Sequence, residues 1–140
     1  MATPLVPIPK PKLDKVKAPY FFTLLITASA MTHIKHLQTT GESSFAQHIA
    51  LDGLYKELPE LADSVIETYQ GATEKIVNYD SSAMSYGLTL KPLEYLKGLR
   101  KMIIDSRYDI ISKEMSNVHN ELDNVITALD GTIYKLTFLK

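Results

Sequence analysis

Apolar positions recur along this chain at helical rather than strand spacing, in four separate stretches. The first covers about residues 19 to 39 and holds the run Tyr20 to Ala30 (YFFTLLITASA). Pro19 suits a helix start and Gly41 supplies a stop, so the stretch reads as a buried first helix. The second begins near Ser43 or Ser44, either of which offers an N-cap, and runs to about Tyr69, ahead of Gly71. Its apolar positions are Phe45, Ile49, Leu51, Leu54, Tyr55, Leu58, Leu61, Ala62, Val65 and Ile66. Pro59 falls inside that pattern and lacks the N–H a helix interior uses, which predicts a kink or a division there. Gly71, Ser81, Ser82 and Gly87 mark residues 71 to 91 as a connection, with a short helix expected over 72 to 79. A third helix follows Pro92 and places Leu93, Leu96, Leu99, Ile103, Ile104, Tyr108 and Ile111 on one broad face. Ser112, Ser116 and Asn117 suggest a break. A fourth helix from about 117 carries Val118, Leu122, Val125, Ile126, Leu129, Ile133 and Leu136. No strand pattern and no internal repeat is evident. The expected fold is all-α: an up-down four-helix bundle with one longer connection between its second and third helices.

Composition adds an arm to that picture. The chain has 140 residues, enough for one domain with its own core. Its net charge of −1 hides a split: residues 1 to 17 (MATPLVPIPKPKLDKVK) hold four Lys against one Asp, and the rest is acidic. With Pro4, Pro7, Pro9 and Pro11, that opening reads as an extended basic arm on a bundle domain of residues 18 to 140. Lys15 and Lys17 ahead of a run ending Ala28-Ser29-Ala30 have the outline of a secretory signal. Four prolines precede the basic residues, however, and the run is shorter than the roughly 20 apolar residues of a membrane span, so the buried helix is the better reading. The chain has no Cys, which excludes disulfides, thiolate nucleophiles and Cys-ligated metal, and agrees with a reducing, cytoplasmic compartment. Any metal site must use His, Asp and Glu.

Phosphate loops of the GxxxxGK[ST] type, GxGxxG turns and GxSxG elbows are absent. His119 stands alone near the start of the last helix and reads as a surface or capping histidine. His33 and His36, three apart, share a face of the first helix, a weak signal by itself. The second helix is more informative. His48 and Asp52 stand four apart, as do Asp63 and Glu67, and the eleven-residue step between the pairs keeps them on roughly one stripe. Lys56, Glu57 and Glu60 are assigned to a solvated face elsewhere. Eleven residues rise about 16 Å, whereas imidazole and carboxylate bind metal at about 2 Å. The two pairs cannot share a metal within one chain. They can across a two-fold axis passing between residues 57 and 58, which brings His48 and Asp52 of one copy to Asp63 and Glu67 of the other.

These residues resemble the Dps proteins, mini-ferritins of the ferritin-like superfamily. His36, His48, Asp52, Asp63 and Glu67 reproduce the family's ferroxidase spacing His-x11-His-x3-Asp-x10-Asp-x3-Glu. Gly41 matches the family's first inter-helix loop, and Glu121-Leu122-Asp123 with Leu129 to Leu136 is similar to its last helix. The stretches Ile66 to Gly71 and Ile133 to Leu136 also look like those of compact Dps-like proteins encoded by bacteriophages. The resemblance implies a ferritin-like bundle in which His36, His48 and Asp52 of one subunit face Asp63 and Glu67 of its two-fold mate, all five serving as both metal ligands and catalytic residues. It further implies oxidation of Fe(II) by peroxide or oxygen, with zinc or manganese as substitutes for iron, and storage of ferric mineral in a twelve-subunit shell. Two departures stand out. The family's Trp after the first His is Leu37 here, which leaves Tyr55 or Tyr69 as the oxidisable ring, and Pro59 lies within the segment that sets the ligands' register.

Three functions follow as expectations. The first is iron oxidation and sequestration at the inter-subunit site. The second is a structural or interaction protein that keeps the bundle without the chemistry. The third is DNA binding through the arm, which would act multivalently from a shell but against the repulsion of an acidic body.

Overall fold

The structure, a computed structural model, describes residues 16–140. Four helices make up nearly all of it: α1 (Ala18–Leu37), α2 (Ser44–Thr73), α3 (Pro92–Ile110) and α4 (Ser116–Phe138), with one 3-10 turn at Ser81–Ala83. No strand occurs among the described residues. The arm read over residues 1–17 lies outside the described residues except for Val16, which packs against the core, and Lys17, which precedes α1.

Pro19 occupies the first turn of α1, where its missing N–H costs nothing. The helix ends at Gln38, and Gly41, at φ +88, turns the chain into α2. The serine expected to cap α2 does not do so. Ser43 sits at the N-cap in the left-handed region at φ 63 and makes no side-chain capping bond. α2 is longer than its pattern suggested, running through Gly71 to stop where Glu74 turns left-handed at φ 55. Nor does Pro59 divide it. The residue four before Pro59 is Tyr55, whose carbonyl loses its helical donor, and the Ser29 hydroxyl of α1 donates to that oxygen at 2.6 Å. A neighbouring helix thus replaces the missing bond.

The short helix expected over 72–79 is absent; the chain has no regular structure over 75–80, and the single helical turn comes at Ser81–Ala83. This connection has a direction. The Asp80 N–H donates to Thr23 Oγ1 (2.8 Å) in the first turns of α1, while the Lys35 ammonium in its last turn reaches Gly87 O (2.7 Å) and Leu90 O (2.5 Å). The connection therefore climbs the length of α1, and α3 begins at the end of the bundle where α1 stops and α2 starts. α2 and α3 run parallel. The simple up-down order is replaced by one long crossover between them.

The core lies between all four helices. Phe21 and Phe22 of α1, Leu51, Leu54 and Leu58 of α2, Tyr95, Leu96 and Leu99 of α3, and Leu122 and Leu129 of α4 are fully buried, each contributing about 2 kcal/mol through removal from water. Gly87, at φ +84, lies against the Tyr95 ring, and any Cβ there would collide with it. Ile104 and Tyr108, expected on the core face of α3, are exposed instead. His119 is neither isolated nor on the surface. It is buried and accepts from Arg107 Nε at Nδ1 (3.1 Å), so in the neutral ring Nε2 carries the proton that faces the Ile111 and Ser112 carbonyls (3.2 Å each) at the end of α3. Its capping role is thus played for the preceding helix. Arg107 completes the corner by bonding His119 O and Asp123 Oδ1 at 2.8 Å each. No helix among the described residues is long and apolar enough to cross a membrane.

Candidate functional site

The α1–α2 corner brings three of the five sequence-selected residues together. His36 projects from the last turn of α1 and His48 from the second turn of α2, and their rings stack with centroids 3.6 Å apart. Each imidazole bonds the other residue's backbone. His36 Nδ1 lies 2.9 Å from His48 O, and His48 Nδ1 lies 3.0 Å from His36 O. A carbonyl oxygen only accepts, so both rings carry their proton on Nδ1. In the neutral rings this leaves a lone pair on each Nε2. The Thr39 hydroxyl, which donates to His36 O (2.9 Å), closes the corner 3.3 Å from His48 Nδ1.

Asp52, one turn beyond His48, places Oδ1 3.9 Å from His36 Nε2. The carboxylate is half-buried and already has a cation: Lys56 Nζ sits 2.9 Å from Oδ2. That hydrogen bond is the main reason the Asp52 carboxyl is held below the usual range, with the Lys56 and His36 charges adding to it; the same pairing raises Lys56. The sequence reading had placed Lys56 on a separate solvated face. Its spacing of four from Asp52 is the signal that puts it on the His48–Asp52 stripe instead.

The remaining two residues stand apart. Asp63 and Glu67 are exposed on the same helix, about three turns past Asp52. Among the described residues of one chain, no group of three or more His, Cys, Asp or Glu side chains is arranged to hold a metal ion. His33 does not join the imidazole pair. It lies flat on the Tyr55 ring (4.0 Å between centroids, 7° between planes), with His36 6.0 Å away. Tyr55, half-buried and 5.1 Å from the His36 ring, is the aromatic neighbour of the corner.

Several exposed apolar side chains flank this corner. Phe45 (77% exposed) and Ile49 (54%) precede Asp52 on one stripe of α2, and Ile26, Ile34 and Leu37 (68%) line the adjoining side of α1. A helix as uniformly apolar as α1 is ordinarily buried on every side. Here Ile26, Ile34 and Leu37 face out.

Neutral imidazole and carboxylate are donor types that divalent first-row metals take. Imidazole nitrogens whose second ring nitrogen is fixed by a backbone carbonyl are the usual orientation of ligating histidines, and carboxylates supply the balancing charge. No curated protein and no solved structure matches the chain. A family of unknown function, DUF5856, matches residues 36–136, a span that opens at His36 and contains His48, Asp52, Asp63 and Glu67, and the chain belongs to that family.

Proposed function

We propose that this protein binds and oxidises Fe(II) at a site completed by a second copy of the chain, on a ferritin-like bundle. One observation carries the reading: the His36–His48 pair, each ring locked by the other's carbonyl, with His36 Nε2 3.9 Å from Asp52 Oδ1. Asp63 and Glu67, on the same stripe but out of reach within the chain, are the acids a two-fold mate would contribute. The long crossover between α2 and α3 supports the ferritin-like assignment. The exposed apolar stripe beside the site supplies a surface for the mate.

Iron is the substrate in this scheme. Two Fe(II) ions each give up one electron, and hydrogen peroxide takes both with two protons to leave as two waters. The chain's part is to bind the ions through neutral imidazole and carboxylate and to balance their charge as it rises. Protonation of the imidazoles removes the lone pairs, so affinity falls in acid. Zinc or manganese suits the same donors. A twelve-subunit shell with mineral inside, and DNA binding through the basic arm, are extensions of the same proposal.

Lys56 favours a second reading. Its ammonium occupies the Asp52 carboxylate as a metal would, which fits a bundle that keeps the fold for a structural role. Peroxide-driven Fe(II) oxidation followed by absorbance separates the two. Wild type should outrun the protein-free control, while Glu67→Gln and Asp52→Asn should slow it by roughly tenfold or more without changing the oligomer's mass. Equal rates in all three, matching the control, would leave the structural reading.

A further inference from the structure

At the end of the bundle where α1 and α4 finish and α2 and α3 begin, a cavity of about 580 Å³ opens beside the crossover. Its size falls in the range of small-ligand pockets, roughly 300 to 1,000 Å³. Three lysines, Lys35, Lys91 and Lys140, line it, and among the described residues no Asp or Glu does. Thr39, Thr40 and Thr89 add hydroxyls, and two glutamine amides complete the polar wall. This concentration of one sign is notable in a body that is acidic overall.

Lys35 is the unusual member. It is 2% exposed, yet among the described residues it has no carboxylate partner. Two of its three N–H donors go to the Gly87 and Leu90 carbonyls, and the ring of Tyr95 lies 5.2 Å from the nitrogen. One donor and the whole positive charge remain without an anionic partner, an arrangement that is costly in a buried site. The first turn of α3 opens on the same cavity. Lys91, its N-cap, makes no side-chain capping bond, and N–H groups in a helix's first turn lack intrahelical acceptors. The acids nearby lie outside the cavity: Glu94 is exposed in the first turn of α3, and Glu42 lines an adjoining cleft with Lys135 and Lys140.

We infer that this cavity binds a small phosphate-bearing anion that has no aromatic ring. Lys35 supplies the buried charge, Lys91 and Lys140 close over the anion from the rim, and the hydroxyls and amide hydrogens take its remaining oxygens. A tetrahedral dianion offers enough acceptors for this many converging donors, which a single carboxylate does not. Among the described residues no aromatic side chain lines the walls, so none of them would stack on a nucleobase.

Calorimetric titration with pyrophosphate at low salt tests the inference on the whole protein. Saturable binding at one site per chain is expected, weakened by about tenfold or more in the Lys91→Gln, Lys140→Gln double variant. Both lysines are exposed, so that variant should fold; Lys101→Gln, paired with Asp105 elsewhere, should bind as wild type does. The side-chain resonances of Lys35 should shift as pyrophosphate is added at fixed pH, a change that a merely structural lysine would not show. No saturable binding, or equal affinity in the double variant, overturns the proposal. AMP binding much tighter than inorganic phosphate overturns the non-aromatic class. Recruitment to vesicles containing a phosphatidylinositol phosphate, without binding of soluble pyrophosphate, would assign the site to a membrane instead.

Discussion

Ser29 illustrates how much can rest on one hydroxyl. Pro59 takes a donor out of the middle of α2, and the Tyr55 carbonyl it orphans lies in the seam with α1, where the Ser29 Oγ donates to it. Ser29→Ala should leave that acceptor poorly satisfied and cost about 1 kcal/mol, a fall of roughly 3 to 4 °C in the melting temperature. In a Pro59→Ala background, which returns the helical N–H, the same substitution should cost much less; thermal unfolding of the four variants closes the cycle. Pro59 was legible as a threat to the helix, but its remedy was not, since Ser29 is 26 residues away and nothing local marks it as a partner. The candidate site divides in the same way. The spacing of His48, Asp52, Asp63 and Glu67 could be read as a stripe because a helix fixes it. The exchange of carbonyl bonds between His36 and His48, and the Tyr55 platform under His33, depend on how two helices meet.

Helices were the most legible elements, because their pattern is local. Prolines at the starts of α1 and α3 placed those ends closely. Glycine misled at Gly71: an exposed helical glycine costs only about 1 kcal/mol, and packing of the neighbouring turns carried α2 past it. Packing also fixes the crossover, which holds Gly87 against Tyr95 and Lys35 against two carbonyls. Tyr95 is where this arrangement meets pH. Burial pushes its phenol far above the ordinary tyrosine range, and Tyr86 is raised for the same reason. A raised folded-state value means full stability below the unfolded tyrosine's range, near 10, and loss above it as only the unfolded chain ionises. Tyr95→Phe should therefore move the midpoint of alkaline unfolding to higher pH, as circular dichroism above pH 10 would show. Unchanged midpoints would place the alkaline weakness at another group.

At the scale of the molecule, the apolar stripe of Leu37, Phe45 and Ile49 sets the expected assembly. Phe45→Glu puts a charge where the chain already meets water, so the monomer's fold and melting temperature should hold while the dimer separates. Light scattering would read the loss of mass, and Fe(II) oxidation should fall to the protein-free rate with it. A variant that stays dimeric would move the interface to another face. The spacing of the His48–Asp52 and Asp63–Glu67 pairs proposes a dimer from the sequence alone, whereas the chain path between α2 and α3 has no such local signal, because its contacts join residues more than fifty positions apart. That path has a consequence for the order in which the chain acquires structure during synthesis. α1 emerges ahead of the other helices, apolar on nearly every side, yet the backbone that covers it and accepts its buried lysine follows 52 residues after that lysine. Until the crossover is made, α1 and α2 form a hairpin with its core side open, and contacts so distant in sequence are slow to close. A chain arrested before residue 92 would carry that open side exposed and would depend on chaperones or aggregate.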